Sequence, residues 1–112
     1  MNAKTELERM VDLLNGWLSG RSQKFWLQFK RRKDLDGVLA FLLLSAEKNS
    51  RFVDDSCICW GGGHTDDQAC ETVIKKLADG SDLIREYLPF TAGSLEELKL
   101  KLAAFGREGR SI

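Results

Sequence analysis

All three cysteines and the only histidine of this chain fall within one short stretch, Cys57-Ile-Cys59-Trp-Gly-Gly-Gly-His64-Thr-Asp-Asp-Gln-Ala-Cys70. Thiolate and imidazole are the ligands zinc prefers, at about 2.0–2.3 Å in a tetrahedral shell. On an extended strand Cys57 and Cys59 would share a face about 6.6 Å apart. The glycines could fold His64 back over them, and Cys70 would project from the first turn of a following helix. Cys57, Cys59, His64 and Cys70 are therefore the candidate metal ligands, and zinc is the one cofactor the residues suggest. Two other chemistries fit the stretch less well. A strand–glycine loop–helix arrangement can offer backbone N–H groups to a phosphate. Here the Gly-Lys-Ser/Thr signature is missing, and Asp66 and Asp67 already occupy the positive end of the helix dipole. Cys70 could be a nucleophile with His64 as its base, but the same aspartates raise a thiol pKa, and no oxyanion hole is identifiable. No catalytic residue is assigned, and the chain is expected not to be an enzyme.

The spacing C-x-C-x4-H-x5-C resembles that of the zinc knuckle, C-x2-C-x4-H-x4-C, over residues 57–70 only, and two of its three intervals differ. The resemblance implies neither RNA binding nor the knuckle fold. In the competing reading the cysteines are small core hydrophobes, among the most buried of residue types. Cys70 lies on the apolar stripe of its helix, and His64 is then a surface residue. That reading takes precedence because metal ligands usually come in cleaner pairs.

A second cluster binds rather than reacts. Residues 21–33 hold Arg21, Lys24, Lys30, Arg31, Arg32 and Lys33 together with Phe25, Trp26 and Phe29. Cations neutralise phosphates and exposed aromatics stack on unpaired bases, so single-stranded nucleic acid is one expectation for this segment. A protein partner is the stronger one, because tryptophan and arginine are the usual components of interface hot spots. Trp26, out of phase with Phe25 and Phe29, should stand on an open face. With Lys30, Arg31, Arg32 and Trp60 it makes up the expected partner-binding set.

The elements that must position these residues follow from periodicity. Leu7, Met10, Val11, Leu14, Trp17 and Leu18 recur at helical spacing, with Gly20 as the expected stop. Residues 24–30 alternate apolar and polar, as a strand does. Residues 34–48 are apolar nearly all round and read as a helix buried on several sides. Residues 51–60 end in Cys57-Ile58-Cys59-Trp60, apolar on both faces like an interior strand, though Asp54 and Asp55 could delay its start. Gly61-Gly62-Gly63 reads as a chain break. A helix from about Thr65 to Asp79 follows, with Thr65 and Gln68 as a capping box and Gly80 as its stop. A short helix then runs from Ser81-Asp82 to Leu88, ended by Pro89. A last helix opens on a second box, Ser94-x-x-Glu97, and turns Leu95, Leu98, Leu102 and Phe105 inward.

The chain of 112 residues is the size of one domain. Residues 1–106 are expected to form it, with 107–112 a flexible tail. The fold expected is α+β: about five helices on a small two- or three-stranded sheet built from residues 24–30 and 52–60, paired either parallel or antiparallel. An all-α bundle is the runner-up. The longest apolar run, Val38 to Leu44, falls far short of the ~20 residues a spanning helix needs, so no membrane is expected. A polar start and an odd number of cysteines suggest a reducing, cytoplasmic setting. Lys plus Arg equals Asp plus Glu at 17 each, but the charge is unevenly placed. Residues 1–53 hold ten cations against six anions, and residues 54–112 hold seven against eleven. A capped helical body, separated charge and no coherent catalytic set together suggest a small non-catalytic protein-binding module: an inhibitor, immunity-type or regulatory adaptor protein, monomeric or homodimeric. The alternative is a zinc-binding domain that contacts single-stranded nucleic acid through residues 21–33.

Overall fold

Seven apolar residues in a row, Val38 to Leu44, decide the architecture, and they form a strand, not the expected helix. The computed structural model describes residues 2–18, 24–32, 36–45, 57–81, 84–88 and 91–107. Within them, helix α1 (Ala3–Trp17) precedes three strands, β1 (Lys24–Arg32), β2 (Gly37–Ser45) and β3 (Cys57–Gly63). Helix α2 (Asp66–Asp79), the single turn α3 (Ile84–Tyr87) and helix α4 (Leu95–Arg107) follow. The sheet is an antiparallel meander in the order β1-β2-β3. The expected α+β class holds, but the all-α runner-up and the parallel pairing do not. About five helices were expected; the described residues form three long ones and one turn. The helix assigned to 34–48 accounts for that difference. Asp36 has φ 48°, a left-handed conformation that has no place inside a right-handed helix over 34–48 and that Asp adopts in turns. With Gly37 it launches β2 out of the hairpin. β2 is the central strand and is apolar on both faces, Val38, Ala40 and Leu42 on one and Leu39, Phe41 and Leu43 on the other. A continuous apolar run of that kind is how an all-round helix also reads.

The described helices cover one face of the sheet. The pairing register sets Phe25, Leu27 and Phe29 of β1 beside Leu44, Leu42 and Ala40 of β2. These face α1 and α2, whose Leu7, Met10, Leu14, Cys70 and Val73 complete the core. The expected stripes of α1 and α2 are thus observed. Helix α1 ends at Trp17 and is capped by Leu18, and the expected stop at Gly20 lies outside the described residues. Gly80 does close α2, in the left-handed conformation at φ 69°.

Both capping boxes form. Thr65 Oγ1 accepts from Gln68 N at 3.1 Å, and Ser94 Oγ accepts from Glu97 N at 3.1 Å. The reciprocal bonds reach one residue further back than the usual box. Gln68 Oε1 accepts from His64 N at 2.9 Å, and Glu97 Oε2 from Gly93 N at 3.1 Å. The Gly93 N–H and the Lys101 ammonium hold the Glu97 carboxyl below the ordinary carboxylate range. Two longer-range bonds tie the helices together: Lys4 N donates to Asp67 Oδ1 at 3.0 Å, and Leu95 N donates to Glu6 Oε2 at 3.0 Å. Each lends a carboxylate to another helix's unsatisfied N–H groups. The final residues assigned to a tail, 108–112, lie outside the described residues, as do Pro89 and residues 46–56.

Gly61, Gly62 and Gly63 do not break the chain; they extend β3. Register places Gly61 beside Ala40 and Gly63 beside Val38 on the helix side. There α2 lies directly on the strand. A Cβ on Gly61 would stand 2.7 Å from Thr72 Cβ, and one on Gly63 2.5 Å from Gln68 Cβ. Gly62 faces the other way, where a Cβ would meet Leu39 Cδ2 at 3.3 Å and Val38 O at 3.9 Å.

Candidate binding surface on the open face of the sheet

A β-bulge sorts the cysteines. Leu42 pairs with Cys59 but Leu43 pairs with Cys57, so Ile58 is an extra residue. Such a bulge turns two consecutive side chains to the same side. Ile58 and Cys59 are both fully buried in the helix-side core, whereas Cys57 shares the opposite face with Leu43. The expected same-face pair of Cys57 and Cys59 is thereby split.

The other two proposed ligands diverge as well. Cys59 Sγ lies 3.9 Å from Val73 O inside the core, Cys70 is fully buried, and His64 is exposed on the turn before α2. Among the described residues no three Cys, His, Asp or Glu side chains are placed to hold one metal ion. The tetrahedral set of Cys57, Cys59, His64 and Cys70 is not formed, because the strand phase that would have built it is shifted by one residue. All three cysteines are thiols outside any disulfide.

Cys70 is placed against reactivity. Burial pushes its thiol up to about 11, helped by the charges of Asp66, Asp67 and Glu8 and opposed by Lys4. A catalytic thiol needs the reverse shift. Iodoacetamide should therefore label half-buried Cys57 at least roughly tenfold faster than Cys59 or Cys70, with the three rates converging in denaturant. Peptide mass mapping against time reads this directly, and preferential labelling of Cys70 in the folded protein would contradict it. The anion-site reading fails on the same residues. Asp66 lies 3.8 Å from both Lys4 Nζ and Arg31 Nη2, and Asp67 caps Lys4 N.

The face away from the helices gathers most of the residues expected to bind a partner. Even-numbered Lys24, Trp26, Gln28, Lys30 and Arg32 line it on β1, beside Leu43, Phe41, Leu39 and Gly37 of β2. Trp60 joins them opposite Phe41. Four of the five sequence-predicted residues, Trp26, Lys30, Arg32 and Trp60, thus share one surface. Arg31 falls on the helix side and reaches Asp66. Trp60 is 46% exposed, and Trp26 is half-buried. A lysine sits over each indole: Lys24 Nζ is 4.7 Å from the Trp26 ring centre, and Lys76 Nζ is 4.3 Å from that of Trp60. Such contacts contribute about 0.5–1 kcal/mol at exposed sites.

Sequence reading missed Lys24, Leu39, Phe41, Leu43 and Lys76 as members of this surface. Lys24 was legible from its parity with Trp26. The β2 residues were hidden by the helical assignment, and Lys76 arrives from another element. Among the described strand residues of this face there is no carboxylate. No helix among those residues is long and apolar enough to cross a membrane. Comparison of the chain with protein-family models, with curated proteins and with solved structures finds no match in any of the three.

Proposed function

We propose that this chain is a small non-catalytic module that binds and regulates a partner protein, in the manner of an inhibitor, immunity-type or adaptor protein, through the open face of its sheet. One observation carries the reading: Trp26, Lys30, Arg32 and Trp60 stand together around the apolar column Leu39, Phe41 and Leu43, on the face that no described helix covers. An apolar centre with aromatic anchors and a charged rim is the composition of an interface. A protein partner is favoured over nucleic acid because a lysine already lies over each indole. A stacking base would have to displace that lysine.

The test uses Trp60→Ala and Arg32→Ala, both exposed positions whose truncation leaves the core intact. A partner is captured from native-host lysate on the immobilised protein, identified, purified and titrated. Hot-spot truncations cost about 2 kcal/mol or more each, so the double variant should bind at least about a hundredfold more weakly while its circular dichroism and melting curve are unchanged. Equal affinity for the double variant removes this face from consideration. Tight, salt-sensitive binding to oligothymidylate with no protein captured would replace the partner class.

A further inference from the structure

The backbone of β1 holds a second feature beside this face. Asn15 of α1 lays its side-chain amide along the outer edge of the strand. Its Oδ1 accepts from Phe25 N at 2.7 Å, and its Nδ2 donates to Phe25 O at 3.1 Å. That pair of bonds fixes the phase of the ladder. The N–H and C=O of Phe25 point away from β2, and in an antiparallel pair every second residue repeats that orientation. The backbone groups of Leu27, Phe29 and Arg31 therefore also point outward. Among the described residues nothing outside the sheet bonds to them. Alongside runs a groove of about 520 Å³ between α1 and β1, walled by Thr5, Glu8 and Asp12 and floored by Phe25, Leu27 and Phe29. Asn15 closes one end of the edge by imitating a strand residue. Beyond it, three residues present strand-pairing groups over a floor of Leu27 and Phe29, with Lys4 Nζ 5.4 Å from the Phe29 ring centre at its far end.

We infer that this edge accepts an extended segment of the partner protein as a fourth, antiparallel strand, with acidic side chains on the open-face side and apolar ones over Leu27 and Phe29. Strand addition of this kind takes affinity from main-chain bonds and specificity from alternate side chains. Charge selects the occupant. β1 carries Lys24, Lys30, Arg31 and Arg32 and no carboxylate. Three of these, Lys24, Lys30 and Arg32, lie on the open face, whereas Arg31 lies on the helix side and reaches Asp66. A second copy of the chain would set three more open-face cations against them, and like charges across a pair are destabilising. The α1 wall carries both signs, Arg9 with Glu8 and Asp12, and leaves that preference in place. This inference rests on the partner-protein reading above and adds where the partner's backbone lies.

The probe is a capped, fluorescein-labelled heptapeptide of alternating valine and glutamate, read by anisotropy against the intact protein. A residue opposite Leu27 or Phe29 shares its inward face and donates its N–H to β1, so valine amides carry the pairing. N-methylating the valine amides should weaken binding at least about tenfold, whereas N-methylating the glutamate amides should change it less than about twofold. A valine–lysine heptapeptide should bind at least about tenfold more weakly, and exchange of the Leu27 and Phe29 amides should slow when the valine–glutamate probe is bound. Equal binding of the two methylated forms overturns the inference, as does equal binding of the lysine peptide or binding of oligothymidylate alone. Concentration-dependent dimerisation protecting the same amides would also overturn it, in favour of a second copy. Loss of partner capture in the Trp60→Ala, Arg32→Ala variant with no methylation effect would leave the open-face reading standing without the added strand. A methylation effect with undiminished capture would do the reverse.

Discussion

Gly63→Ala is expected to lower the free energy of unfolding by about 1–3 kcal/mol or more, the range for forcing an atom into packed space, whereas Gly62→Ala next to it should change stability by less than about 0.5 kcal/mol. The contrast follows from what each new methyl meets. At Gly63 it would lie 2.8 Å from Ala69 N and 2.9 Å from Gln68 C as well as 2.5 Å from Gln68 Cβ. Two of these three atoms are helix backbone, which cannot swing aside, so α2 would have to lift from β3. That movement strains the Thr65 cap and the Lys4–Asp67 bond at the same end of the helix. Gly61→Ala should fall between the two. Its methyl meets Thr72 Cβ at 2.7 Å and Ala69 O at 2.9 Å, and it would disturb the bond Thr72 Oγ1 donates to Gly62 O. Urea unfolding at constant m-value separates the three variants. If Gly62→Ala costs as much as Gly63→Ala, the glycines serve backbone freedom rather than close approach of helix to strand.

The same glycines show what a sequence hides. Three in a row signal a turn when read locally. Only the tertiary arrangement, with α2 lying flat on β3, turns two of them into spacers and leaves the third on the open face. Helices α1 and α2 were legible because their stripes and caps are local: Leu7, Met10 and Leu14 at one end, Thr65 and Gly80 at the other. β1 was legible from the alternation of Phe25, Leu27 and Phe29. β2 was not, because Leu and Ala dominate it and both of its faces are apolar, Val38, Ala40 and Leu42 toward the helices and Leu39, Phe41 and Leu43 on the open side. Two signals were nonetheless present. The apolar run has a strand's length, and Asp36-Gly37 before it is a hairpin dipeptide. Once β2 is a strand, parity alone puts Leu39, Phe41 and Leu43 beside Trp26 and Trp60. The bulge at Ile58 had no sequence signal. A single inserted residue moved Cys59 to the core and Cys57 to the other face, and with that shift the metal reading lost its geometry. Arg31 was grouped with its neighbours by proximity along the chain, whereas strand parity alone would have set it apart.

Cys70 supplies a second large effect, confined to alkaline pH. Its thiol is pushed from 9.0 to about 11 in the folded protein, by burial first and then by the charges of Asp66, Asp67 and Glu8. The unfolded chain exposes the thiol to water and ionises it near the ordinary value. Between about pH 9 and pH 11 the unfolded state therefore holds fewer protons than the folded one, and stability falls as pH rises. Below about 9 both states keep the proton and the group contributes no pH dependence. A tenfold difference in proton affinity between the two states is worth about 1.4 kcal/mol, so the loss reaches about 2 kcal/mol by pH 11, where the folded thiol is itself half ionised, and levels off just above it. Other groups titrate in this window, so the readout is a difference. Cys70→Ala, whose smaller side chain lowers stability by a roughly constant amount, should lose less stability than the parent chain over that interval, and the two curves should converge or cross as pH rises. Denaturant unfolding at half-unit pH steps measures both, and parallel curves for the parent and Cys70→Ala would mean that the Cys70 thiolate is accommodated in the fold after all.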